Sequence, residues 1–222
     1  MIKSRIAAGA ALLAVAAGAA HAGEFSVTPT ITNDYDFRGF SMTDEDPAFQ
    51  LGASYGFDNG IYLGAWGSNI DPSGSNSGVE IDYFAGYAGS TEAFGYDVGV
   101  VYYTYTGIPG GSDANTLEVF AGLSKDWLSG KLSFSDDYRG SDESAFYFEG
   151  NAAYPLPNNF SLIAHAGYGF GDAYADEVLD YALGVGYSYK NFNFTVKGVD
   201  TDVSGEDVRL VATVSTTLPW SN

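Results

Sequence analysis

Residues 178–200, VLDYALGVGYSYKNFNFTVKGVD, alternate so regularly that every second side chain belongs to one face. Leu179, Tyr181, Leu183, Val185, Tyr187 and Tyr189 share one face, and Asp180, Ala182, Gly184, Gly186 and Ser188 share the other. A two-residue period is that of a β-strand lying between two different environments. The pattern recurs over 25–37, 47–57, 61–70, 78–89, 94–106, 115–125, 130–138, 144–154, 159–170, 178–189, 191–200 and 206–218. These are about twelve strands with no helical periodicity and no linker between them. The least clearly separated pair flanks SKDWLSGK at 124–131. Strands in soluble sheets are commonly about five or six residues long, and most of these are about ten or longer. At about 3.3 Å per residue and a tilt near 40°, ten residues rise roughly 25 Å, the height of the apolar band in outer-membrane barrels.

The connections alternate in length. RGFSMTDED, DPSGSNSG, GIPGGSDA and GDAYADE are long, whereas DNG at 58–60, STEA at 90–93, PLPN at 155–158 and KN at 190–191 are tight. Long loops therefore gather at one end and short turns at the other, with both termini at the short-turn end. Bacterial outer-membrane barrels have this asymmetry, with an even strand count, long extracellular loops and periplasmic turns.

Composition decides what lies against the apolar face. Phe49, Leu51, Tyr55, Ile81, Tyr83, Val98, Val100, Phe194, Val196, Leu210 and Val214 stand opposite a face of Gly, Ser, Thr, Ala and scattered acids. A soluble barrel or sandwich of lipocalin type would present Lys and Glu to water on that second face. Small polar residues suit the inside of a barrel, and Tyr near strand ends suits a membrane interface. The expected fold is an all-β, antiparallel transmembrane β-barrel of the outer-membrane type, with lipid as its outer partner. No segment beyond the N-terminus approaches the 18 or so apolar residues of a transmembrane helix, and mean hydropathy is −0.05.

The first 22 residues read as an export signal: Lys3 and Arg5, an Ala/Leu-rich run, then Ala20-His21-Ala22 as a small-x-small cleavage pattern. The expected division is 1–22 signal and 23–222 barrel, placed in the bacterial outer membrane by the barrel-assembly machinery. The chain has 9 Lys plus Arg, 28 Asp plus Glu and no Cys. Loss of the signal takes the formal charge from −19 to −21. Such an acidic chain is not a nucleic-acid partner, because phosphate binding needs a basic surface.

NDYDFRGFSMTDEDPAFQ (33–50), GIYLGAWGSNID (60–71), VEIDYFAGYAG (79–89) and YDVGVVYYTYTG (96–107) resemble the TorF-like family of proteobacteria, long catalogued as conserved proteins of unknown function. The likeness is densest over 25–107 and is mainly one of strand pattern beyond. It implies an outer-membrane barrel with an inferred porin role and brings no catalytic or ligand-binding residues. The family's Tyr-x-Phe-Arg-Gly element falls on Tyr35, Phe37, Arg38 and Gly39, and its Trp-Gly-Ser-Asn element on Trp66, Gly67, Ser68 and Asn69. Met42 stands where the family often has Gln. The C-terminal VRLVATVSTTLPW (208–220) resembles the closing strand of such barrels, but Pro219 precedes Trp220 and Ser221-Asn222 follow. Either Trp220 or Leu218 closes that pattern.

In this register Asp34, Asp36, Glu80, Asp82, Asp97, Glu118, Glu149 and Asp180 point into the lumen with His165, against Lys131, Lys197 and Arg209. Eight acids against three bases would make a water-filled lumen electronegative and mildly cation-preferring. The expectation is a pore for passive diffusion of small hydrophilic solutes or cations. The same charges could instead pair internally and close a narrow barrel, leaving a structural or loop-displaying scaffold. A hydrolase is the third class. Ser161, four residues from His165 on one strand face, lies about 13 Å away, too far for a hydrogen bond. Asp180 could orient His165, but no serine is placed for activation, so no catalytic residue is assigned. Asp200, Asp202, Ser204 and Gly205 echo a calcium loop, but Val211 stands where the bidentate Glu belongs. No metal or cofactor is expected, and GIPGGS (107–112) is a turn rather than a phosphate loop.

Overall fold

The computed structural model describes residues 23–74 and 77–220; the expected export signal lies outside the described residues. In chain order the strands are β1 (Glu24–Thr32), β2 (Asp36–Phe37), β3 (Phe40–Ser41), β4 (Ala48–Gly56), β5 (Ile61–Ile70), β6 (Gly78–Ser90), β7 (Gly95–Thr106), β8 (Thr116–Lys125), β9 (Leu128–Ser135), β10 (Ala145–Pro155), β11 (Phe160–Phe170), β12 (Val178–Tyr189), β13 (Phe192–Thr201) and β14 (Arg209–Thr216). All but β2 and β3 pair antiparallel with their neighbours into one closed barrel of twelve strands. Closure leaves no unpaired edge, which satisfies backbone groups where no water is present.

The closing seam is short. β1 meets β14 over three register pairs, Thr30 with Ser215, Ile31 with Val214 and Thr32 with Thr213. It is extended by a bridge between Val27 and Leu218, whose amide and carbonyl each bond Val27, at 2.8 and 3.0 Å. Leu218, two residues past β14, therefore continues the wall. Trp220 lies beside it, its indole N–H donating to Thr216 Oγ1 at 2.9 Å.

The apolar face points outward all around the barrel. Phe49 is 67% exposed, Leu183 63% and Leu210 67%, with Leu51, Tyr83, Val98, Leu132, Phe148 and Val196 also exposed. Water does not support a continuous apolar belt of that extent, and the hydrocarbon of a membrane does. Inside, the half near the short turns is lined by Gly52, Ser54, Gly64, Gly86, Gly99, Gly184 and Gly186. The other half carries Trp66, Glu80, Tyr103, Glu118, Tyr147, Asp180 and Arg209. Inward Tyr62, Phe84 and Phe120 fold over several of the glycines, and the long-loop end is crowded by charged and aromatic side chains.

One expectation needs correction. The alternation over 25–37 predicts a single wall strand, but β1 ends at Thr32 and residues 33–47 turn inward, with β2 and β3 forming a hairpin inside the barrel. Asp34 and Asp36 therefore stand on this hairpin and not on the wall. The physical reason is pairing. Asn33 turns the chain at the rim by accepting from the Ala212 amide at 2.5 Å and donating to Leu210 O at 3.0 Å. Beyond that point, charges across the lumen hold the chain.

Candidate functional site

The hairpin and the wall charges that grip it form the site. Its turn is Arg38-Gly39, with φ of 53° and 86°, the left-handed pair that joins two strands tightly in a two-residue turn. The stem closes through the Met42 amide to Tyr35 O at 2.7 Å, and Tyr35 N–H bonds Thr43 Oγ1 at 3.1 Å. Ser41 Oγ donates to Asp34 Oδ1 at 2.6 Å. Phe37 packs edge-on against Tyr103 at 5.9 Å, and Tyr35 against Trp66 at 5.3 Å. The two motif elements, thirty residues apart in sequence, therefore meet: Trp66 supports the hairpin, and Asn69 donates to Pro47 O at 3.2 Å while accepting from the Phe49 amide at 2.7 Å. Ser68 is buried facing inward, and Gly67 lies on the outer face of β5.

Charge fixes the hairpin to the wall on two sides, first to β14 and β13 beside its own strand. Arg209 pairs with Asp34 and, at 2.9 Å, with Asp36, and donates to Gly39 O at 2.6 Å. Lys197 reaches Asp36 at 3.1 Å. On the other side the Arg38 guanidinium bonds Glu118 Oε2 at 2.8 Å, with both side chains buried. Breaking such a buried pair leaves an uncompensated charge, so these contacts strongly specify where the hairpin sits.

The remaining inward residues fall into two groups. Glu149 pairs with Lys131 at 2.7 Å, and Asp180 lies 2.8 Å from His165 Nε2 and accepts from Tyr147 Oη at 2.8 Å. Asn151 Oδ1 lies 2.7 Å from His165 Nδ1, so both ring nitrogens are engaged and neither is turned to a serine. Asp97 accepts from Tyr62 Oη at 2.7 Å. Glu80 and Asp82 are each 0% exposed, with the Tyr35 and Tyr105 hydroxyls beside Glu80. Sequence reasoning missed Arg38 as an inward base and Tyr103 and Tyr147 as lumen hydroxyls. Phe37-Arg38-Gly39-Phe40, a turn pair between two aromatics, was the available signal.

Gly39 brings the hairpin backbone close against β12 and β13. A methyl there would lie 2.7 Å from Asp180 Cβ and 3.0 Å from Thr201 Cβ, at a φ that a β-branched residue does not tolerate. Gly39→Val is expected to unseat the hairpin at a cost of about 1–3 kcal/mol. In detergent-solubilised protein, trypsin should then cut after Arg38, which the wild type protects; equal protection of both would show that the seat does not depend on Gly39.

Above the hairpin, at the long-loop end, a cavity of about 320 Å³ is lined by Phe37, Arg38, Tyr138, Arg139, Tyr147 and Tyr174 among others. Among the described residues no group of three or more His, Cys, Asp or Glu is arranged to hold a metal.

A closed barrel, apolar outside, with a polar lumen and an internal hairpin, is a transmembrane β-barrel of the outer-membrane type. The chain belongs to a family described as bacterial protein of unknown function (Gcw_chp), whose model matches residues 16–218. That description, not the TorF-like name suggested by the motifs at 33–107, is the one the match bears. A search of curated proteins finds no match. Among solved structures the barrel is similar to the KdgM porin, with 14% identity and TM-score 0.56 over 89% of this chain and 99% of that one. It is similar to the NanC porin at 11% identity and TM-score 0.54 over 87% and 98% of the two chains. The COG4313 outer membrane channel from Pseudomonas putida F1 shares 9% identity, TM-score 0.54, over 89% and 95%. At such identities the likeness shows the fold.

Proposed function

We propose that the protein is an outer-membrane channel of porin type, TorF-like in its motifs, through which small hydrophilic solutes diffuse passively past the internal hairpin. In this reading residues 1–22 direct export, the short turns and both termini face the periplasm, and the long loops face outward. Lipid covers the exposed apolar belt, and the barrel-assembly machinery inserts the chain. The lumen supports the reading: its wall alternates glycines, hydroxyls and acids inward, among them Gly52, Ser54, Ser68, Thr213 and Asp97, which is the polar interior of a channel-forming barrel. Asp34, Asp36, Glu80, Asp82, Asp97, Glu118, Glu149 and Asp180 still outnumber Lys131, Lys197 and Arg209 when Arg38 is added. Pairing consumes much of that charge, and Glu80 and Asp82 are fully buried, so the preference for cations is mild and Asp97, half-buried on β7, is the acid left facing the lumen. Single-channel recording of refolded protein in a salt gradient should give a reversal potential of cation-selective sign, and an anion-selective sign would refute the acidic lumen.

The ion pairs binding the hairpin across the crowded half favour a second reading, a barrel that conducts nothing and displays its loops. Absence of conductance steps in the same recordings would select it. His165, engaged on both ring nitrogens, gives a hydrolase no free base.

A further inference from the structure

Arg38 occupies a turn position that ordinarily goes to Asn, Asp or Gly, because both central residues of such a turn have positive φ. The unfavourable backbone delivers its guanidinium into a socket. Glu118 Oε2 accepts from it at 2.8 Å, and the Tyr103 hydroxyl bonds the same oxygen at 3.3 Å. The guanidinium carbon stands 4.1 Å from the centre of the Tyr147 ring, 4.8 Å from Phe37 and 6.0 Å from Tyr138. A carboxylate below and aromatic faces around are what a planar organic cation needs, whether or not it is tethered. The socket is also reachable: Arg38, Tyr138 and Tyr147 line the cavity that faces the long loops. Arg139 at its rim opposes cation entry, but Asp136, Asp137, Asp142 and Glu143 of the same loop are exposed and outnumber it.

We propose that the socket of Glu118, Tyr147 and Tyr138 is a recognition site for guanidinium-type planar cations arriving from the loop side, with Arg38 as its built-in occupant. Such a solute competes with Arg38 for Glu118 and so loosens the hairpin from β8 and β10. The inference names a solute class for the cation-preferring channel proposed above and rests on that reading for its physiological use, though not for the existence of the socket.

Chemical rescue tests it. Arg38→Ala of the full chain, refolded in detergent, should melt several degrees below wild type. Millimolar methylguanidinium should restore a large part of that loss by binding the vacated socket. Methylammonium and sodium chloride at the same ionic strength should restore little. Adding Glu118→Gln to Arg38→Ala should abolish the rescue, and the wild type should gain no stability. If Arg38→Ala does not refold, Arg38→Lys keeps a base at the turn, and its ammonium should yield the socket to methylguanidinium with the same dependence on Glu118. Rescue that survives Glu118→Gln, rescue by all salts alike, or no rescue in either variant overturns the proposal. Conductance is read separately: rescue in a barrel that passes no current keeps the socket and overturns the channel, and current without rescue does the reverse.

Discussion

Excision of the hairpin, by joining Asn33 to Ala48 through a short Gly/Ser turn, should raise single-channel conductance several-fold. Twelve strands about 4.8 Å apart and tilted by about 40° enclose a backbone radius of about 12 Å. The hairpin lies across that width, packed on Trp66 and Tyr103 and ion-paired to Glu118 and Arg209, so it sets the narrowest cross-section. The excision removes Asp34 and Asp36 together with Arg38, and it leaves Arg209 and Lys197 facing water without their acid partners. Cation preference should therefore fall as conductance rises. A lumen plugged by wall side chains alone would conduct no better after excision, and unchanged conductance would refute the hairpin as the constriction. Intact β1–β14 pairing, read as a retained heat-dependent gel shift, separates that outcome from a barrel that failed to close.

The second large effect is on the outer face. Leu183 sits mid-strand on β12 with Ala164 and Gly198 as its lateral neighbours, and small flanks leave it 63% exposed. Leu183→Arg places a charge near the membrane midplane and should cost about 2–4 kcal/mol of barrel stability. The measurement is a lowered denaturant midpoint for the protein in lipid vesicles. Ser188→Arg, on the inward face of the same strand toward the short-turn end, should cost far less because its long side chain reaches water at the barrel mouth. Equal losses at the two positions, or a gain in solubility without loss of stability for Leu183→Arg, would mean that the apolar belt does not meet lipid.

These two positions also mark how far the residues themselves can be read. The alternation around Leu183 predicts β12 over 178–189, and the barrel has it at Val178–Tyr189 with Leu183 outward and Gly184 inward. A side-chain period of two is local, and long loops alternating with tight turns require only neighbouring strands, so strand number, facing and parity are all legible. Around Asp34 the same period misleads. Asp34, Tyr35, Asp36 and Phe37 alternate as a wall strand would, and an inward two-residue hairpin has the same period. Neither pattern nor composition marks where the chain leaves the wall.

What separates the two is contact between distant residues. Asp34 meets Arg209 from 175 positions away, and Arg38 meets Glu118 from 80. Counting eight inward acids against three bases, the sequence registers an excess of charge but not its pairing, and it does not show that Arg38 supplies a further base from the hairpin. The motif residues Tyr35, Phe37, Arg38, Gly39 and Trp66 stand out in the sequence without a role. Their role appears only when closure of β1 on β14 brings β5, β8, β13 and β14 around one axis. The sequence by itself determined a twelve-stranded barrel turned inside out, because each strand's two faces are written in adjacent residues. Only the tertiary structure decided that one loop fills the lumen and which charges hold it there, because ion pairing across a barrel depends on which strands closure sets opposite one another.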